Sequence, residues 1–160
     1  MTSGPFSECV RAIAFGCIAV ALLAAVPKGS AQIVDSGSTN TSGYRIVVQS
    51  DGSAAISVQQ VAKQYSTPKA FAVSKETATR FFADLAAARK GNATTVPCMK
   101  SASFGTTLHV TWQGWTSPDL SCPPKGSLGA ALIADVQAIR EASGVSAVPL
   151  RRGSSEVPPR

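Results

Sequence analysis

The sequence predicts an α+β domain: an antiparallel sheet of about four strands with two helices packed on one face, in ββα-ββα order, tied by one disulfide. Three observations carry that reading. Two short segments alternate apolar and polar side chains on either side of Asp51-Gly52, a dipeptide that favours hairpins because both residues tolerate positive φ. Two longer segments, 74–91 and 127–144, repeat apolar residues three and four apart, the spacing of an amphipathic helix. The segment 105–115, GTTLHVTWQGW, alternates Leu108, Val110 and Trp112 with Thr107, His109 and Thr111, the period of a half-buried strand filled by residues a pleated surface prefers. Cys98 precedes that strand and Cys122 follows it.

With 160 residues, 44% of them apolar and 15% charged, the chain is one folded domain and not a solvated disordered polymer. The first segment is an address. Residues 1–11 hold one acidic and one basic side chain, and 12–26, AIAFGCIAVALLAAV, hold neither charge nor polar group. Pro27 and Lys28 stop the run, and Gly29-Ser30-Ala31 supply the small residues a signal peptidase reads. We therefore expect 1–31 to be a secretory signal peptide, cut before Gln32. A membrane helix needs about 20 apolar residues and this run is shorter, so no stable membrane anchor is expected after cleavage. The stretch 14–17, AFGC, partly matches a lipoprotein lipobox, but the apolar run continues past Cys17, whereas a lipobox cysteine closes it. The product is then secreted or periplasmic, and Cys9 and Cys17 leave with the leader. Two cysteines remain in an oxidising compartment, so Cys98 pairs with Cys122. Loop entropy gives that bridge about 3 kcal/mol.

The mature chain follows in order. Residues 32–43, QIVDSGSTNTSG, are rich in Ser, Thr, Asn and Gly and read as a flexible lead-in. The single domain is expected over 44–146. Tyr44, Ile46 and Val48 alternate along a first strand; Ala54, Ile56 and Val58 return along a second. The segment 61–72 extends the second strand or forms a third, with Pro68 marking a turn or an edge. Ser74 is a good N-cap for the first helix. Ala78, Phe81, Phe82, Leu85 and Ala88 form its apolar stripe, and Gly91 suits its C′ position. A loop follows, with a short strand expected near 101–104, then the strand 106–113. Ser127 is expected to cap the second helix, whose stripe is Leu128, Leu132, Val136 and Ile139. Residues 147–160 have no apolar period and read as a disordered tail.

The search for chemistry removes more classes than it finds. His109 is the only histidine, and no spacing supplies the positioned partner a general base requires. One histidine and two bridged cysteines do not make a metal site. Asp84, Asp119, Asp135 and Glu141 are scattered, and no glycine-rich loop opens either helix to hold a phosphate or cofactor. Lys63, Lys69, Lys75 and Arg80 cluster loosely with only Tyr65 and Phe71 between them, too few aromatics for nucleic-acid binding. The formal charge of +6 falls to +5 once Arg11, Lys28 and Glu8 leave, with 13 basic residues against 8 acidic, a bias that solubility explains. Trp115, beside Gly114 at a strand end, is the residue to single out for binding, because partly buried tryptophans often anchor partners. His109 is the second candidate. The competing reading folds Trp115 back over the sheet edge near Trp112.

The strand 44–48, YRIVV, before Asp51-Gly52, and the apolar helical run 81–85, FFADL, together with the hairpin-helix order over 44–144, resemble the emfourin-type inhibitors of bacterial metalloproteases. The resemblance implies an inhibitor of a secreted protease. The disulfide departs from it, and no inhibitory segment transfers residue by residue. The functional expectation is a small exported non-enzymatic domain that binds another macromolecule, an unknown protein or an envelope component, in one version as an inhibitor. The alternatives are a small exported hydrolase using His109 and a structural envelope protein.

Overall fold

The computed structural model describes residues 29–60, 64–101 and 103–145. Nearly all of the expected leader, including Cys9 and Cys17, and the expected tail over 147–160 lie outside the described residues. Four strands precede the first helix: β1 (Ser30–Asp35), β2 (Tyr44–Gln49), β3 (Ser53–Val58) and β4 (Lys69–Ala72), then α1 (Lys75–Lys90). Four more precede the second: β5 (Thr94–Thr95), β6 (Leu108–Trp112), β7 (Trp115–Thr116) and β8 (Pro124–Lys125), then α2 (Ser127–Ala142). Six strands form one antiparallel sheet in the order β4-β3-β2-β1-β6-β7, and β5 pairs β8 in a separate ribbon. The α+β class and the two helices agree with the sequence expectation. The four-strand count and the ββα-ββα order do not.

The largest correction is β1. The segment expected to begin a flexible lead-in is the strand that joins the two halves of the sheet. It pairs β2 on one side and β6 on the other, placing Ile33 between Ile46 and Val110. Alternation then puts Ala31, Ile33, Ile46, Val48, Ala54, Ile56 and Val110 on one sheet face, all buried. Phe81, Leu85 and Ala88 of α1 and Leu132, Val136 and Ile139 of α2 pack into the same cluster. Both helices therefore cover one face, and each fully buried large side chain adds about 1.5–3 kcal/mol. The expected cut before Gln32 falls inside β1. It would remove Ser30 and Ala31, which pair with Gln49 and Val48 and are 2% and 0% exposed.

The elements end for local reasons. The β2–β3 hairpin closes on a three-residue loop, not a two-residue one. Gly52 takes the positive φ of 91°, and Asp51 Oδ1 accepts from the Ser53 N–H at 2.9 Å and hydroxyl at 2.7 Å. α1 starts as expected: the Thr77 N–H donates to Ser74 Oγ at 3.0 Å, satisfying a donor the first turn leaves orphaned. Its end differs. Gly91 has φ −88°, and the left-handed residue is Asn92 at 47°. Glycine at 91 lets the tip of the Leu128 side chain of α2 approach, since a Cβ there would lie 2.5 Å from Leu128 Cδ1. α2 is not capped by Ser127, which is already helical. Gly126 precedes it at φ 89° and provides no side-chain cap, because the chain turns sharply there out of β8. Of the short strand expected near 101–104, residue 102 lies outside the described residues, residues 103 and 104 form a turn, and the Gly105 N–H donates to Ser101 O at 2.7 Å.

The disulfide is formed, with Cα atoms 5.5 Å apart. It lies beside the β5–β8 ribbon and not between strands of the main sheet: the Val96 N–H donates to Pro123 O at 2.9 Å, one residue from Cys122. It closes a loop that contains β6 and β7 and anchors the segment 96–106 to the body.

Candidate functional site

Trp115 and His109 sit apart. A turn at Gln113 and Gly114, with φ 47° and 75°, joins β6 to β7. Positive φ at both central residues is the twist-matched geometry for a two-residue hairpin. It sets Trp115 opposite Trp112, so both rings lie on the helix side of the sheet, packed against the core. Trp112 meets Phe82 edge-on at 6.2 Å. Trp115 is thus folded back over the sheet edge beside Trp112. His109 points to the opposite face, paired across β1 with Val34, and its Nδ1 lies 3.0 Å from Ser117 O. Neither residue lines the two cavities described next.

Exposed apolar surface gathers elsewhere, in the segment 96–106. Met99 is fully exposed, Phe104 is 66% exposed and Val96 is 49% exposed. Burying apolar side chains is the main drive to fold, so three large ones left in water on one short segment need a reason. The segment is also well anchored. Cys98 ties one end. Lys100 Nζ donates to Thr106 O, Asp119 Oδ2 and Ser121 Oγ, fastening the middle of the loop to its far end. Asp119 Oδ1 accepts from the N–H groups of Leu108 and Ser121, both at 3.0 Å. Burial opposes ionisation of Asp119, but the Lys100 ammonium, the Ser121 hydroxyl and those N–H groups outweigh it. The carboxyl is held far below the usual carboxylate range. On the other flank Ser103 O accepts from Ser38 Oγ at 2.9 Å and the Asn40 N–H at 3.2 Å. A groove of about 320 Å³ runs along this segment between Met99, Lys100, Phe104 and Ser121.

Phe104 is shared with a second, more enclosed cavity of about 190 Å³. Asp35 at the end of β1 and Tyr44 at the start of β2 are direct cross-strand partners and line it from the sheet. Arg140, in the last turn of α2, lines it from above. Thr41, Ser42 and Thr106 complete it. Burial raises the Asp35 carboxyl; the Gly37 N–H, Arg140 and Lys100 pull it back in part. Burial, then the nearby Asp35 charge, raises the Tyr44 phenol, and the neighbouring Arg140 guanidinium lowers it in part. The Tyr44 hydroxyl is buried and has no hydrogen-bond partner, a costly state for a polar group.

Asp84 and Asp135, scattered in the sequence, are brought together between the helices. Asp135 is 1% exposed, with Oδ1 2.6 Å from Arg80 Nε. Burial raises its carboxyl, Arg80 lowers it and the neighbouring Asp84 raises it again. Sequence reasoning missed Met99, Phe104, Asp35, Tyr44 and Arg140 as site residues. One signal was available: three large apolar residues, Val96, Met99 and Phe104, lie in one loop around a cysteine.

Among the described residues no group of three or more His, Cys, Asp or Glu is placed to hold a metal ion. No helix of the described residues is long and apolar enough to cross a membrane. The chain matches no protein-family model, and no curated protein matches it.

Proposed function

We propose that this protein is a small exported, non-enzymatic domain that binds another macromolecule through the segment 96–106, with Met99 and Phe104 as the inserted side chains. The observation that carries the reading is their exposure on a segment fixed by Cys98, Lys100 and Ser103. An anchored loop loses little conformational entropy on docking, so its apolar tip converts contact area into affinity efficiently. Anchors of this kind concentrate binding energy in a few side chains. An oxidised bridge and a signal-like leader support export. Inhibition of a secreted protease is one version of the role, with the loop as the inserting element. The emfourin-like order of elements no longer supports that version, because four strands and not two precede each helix.

The test places a photo-crosslinking residue at position 101 of the full chain, at the exposed Ser101 between Met99 and Phe104, and exposes it to the native secretome. A discrete adduct that disappears in the double variant Met99→Ser, Phe104→Ser is expected. Adducts of unchanged pattern in that variant would sink the reading.

A further inference from the structure

The cavity between Asp35, Tyr44 and Arg140 has features that a partner-binding loop does not explain. A carboxylate and a guanidinium face one enclosed space, yet they do not pair. The ion pairs found among the described residues are Arg80–Asp135 and Lys100–Asp119. Tyr44, 5% exposed, lines the same space, and its buried hydroxyl makes no hydrogen bond of full geometry. One oxygen of Asp35 accepts from the Gly37 N–H at 2.8 Å, which fixes the carboxylate in place. Arg140 and Lys100 offset the buried Asp35 charge only from a distance, so a ligand that brings charge into direct contact with each end would complete the set.

We propose that this cavity binds a small zwitterion, a free α-amino acid, whose carboxylate is held by Arg140 and the Tyr44 hydroxyl and whose ammonium is held by Asp35. Charge selects the class. A simple anion suits Arg140 but is repelled by Asp35, and a simple cation meets the reverse conflict. A ligand carrying both charges satisfies each at its own end, and the guanidinium is suited to a planar carboxylate. Volume agrees: about 190 Å³ is the space of about six waters of bulk liquid, too small for a drug-sized ligand. Phe104 at the rim offers an apolar surface to the amino acid's side chain. The site is positioned by rigid parts, since Asp35 and Tyr44 are opposite each other in the β1–β2 ladder and Arg140 is helical. The inference does not depend on the loop binding a macromolecule.

The experiment titrates the full chain with each of the standard amino acids at millimolar concentration, following backbone amide shifts at 35, 44 and 140. The best binder is then compared on the wild-type protein with its deaminated acid and its decarboxylated amine. Saturable shifts at those residues are expected, with each one-charge analogue weaker by about tenfold or more. Arg140→Gln and Asp35→Asn are expected to weaken binding by about tenfold or more, and Tyr44→Phe by about three- to tenfold. Failure of every amino acid to produce saturable shifts there would overturn the proposal. So would a deaminated acid that binds as tightly as its parent, a comparison that needs no variant to fold.

Discussion

Trp115 and Phe104 are both aromatic residues beside a glycine in a connection, and the fold treats them in opposite ways. Trp115 follows a two-residue turn that returns the chain as a paired strand. Register then dictates its side: opposite Trp112, on the helix face. Phe104 precedes Gly105 in a segment without a partner strand, and no parity rule turns it inward. The backbone on either side of it is held, Ser103 O by Ser38 and Asn40 and Thr106 O by Lys100, while its ring stays in water. The larger ring, the better candidate by residue type, became packing, and the smaller one became surface. Pairing, more than chemical identity, decides which aromatic is free to meet a partner.

The contrast can be broken most forcefully at the disulfide. Replacing Cys98 and Cys122 by serine is expected to cost about 3 kcal/mol, measured by urea unfolding, and to raise amide exchange over 96–106 before it does so over β6–β7. Next comes Asp119→Asn, expected to cost about 1–3 kcal/mol because Lys100 and two backbone N–H groups lose their ionised acceptor. The sign with pH follows from its lowered pKa. The unfolded chain takes up the proton more readily than the folded one, so the stabilisation is complete above about pH 4 and is lost as the pH falls further. A wild-type acid-unfolding curve that the Asn variant flattens in that range checks it; superimposable curves would refute it.

Smaller effects sharpen the pair itself. Trp115→Ala is expected to destabilise by about 1–2 kcal/mol, since a half-buried ring leaves the core edge. Phe104→Ser is expected to change stability by less than about 0.5 kcal/mol. Thermal unfolding of both side by side tests the contrast directly, and equal losses would dissolve it. Between them lies the start of β1. A chain beginning at Gln32 is expected to be about 1–3 kcal/mol less stable than one beginning at Gly29, through loss of two paired, buried residues.

Several features were legible without coordinates because their causes are local. Ser74 caps α1 through its own third neighbour, and the Phe81–Leu85 stripe needs only the helical period. Asp51-Gly52 announces a hairpin whatever surrounds it. β1 was hidden because its evidence is remote. Ile33 and Val34 sit among Ser, Thr, Asn and Gly after an apolar run, and their partners are Ile46 and Arg45 on one side and Val110 and His109 on the other. Gly91 was flagged for its conformational freedom, whereas its role is to admit Leu128 from a helix more than thirty positions away. The candidate cavity was illegible for the same reason. Asp35, Tyr44 and Arg140 come from the supposed lead-in, a strand and a helix end, and only strand register and helix docking make them neighbours.

Taken alone, the sequence determined the α+β class, both helices and their apolar faces, the hairpin at Asp51-Gly52 and the cysteine pairing. Each follows from spacing within a few residues or, for the cysteines, from the expectation that Cys9 and Cys17 leave with the leader, so that Cys98 and Cys122 remain. The tertiary structure decided that β1 is central, that Trp115 turns inward while Met99 and Phe104 turn outward, and which charges share a cavity. Those outcomes depend on which surfaces meet after distant segments dock, and no local pattern encodes a contact between residues that are far apart in the chain.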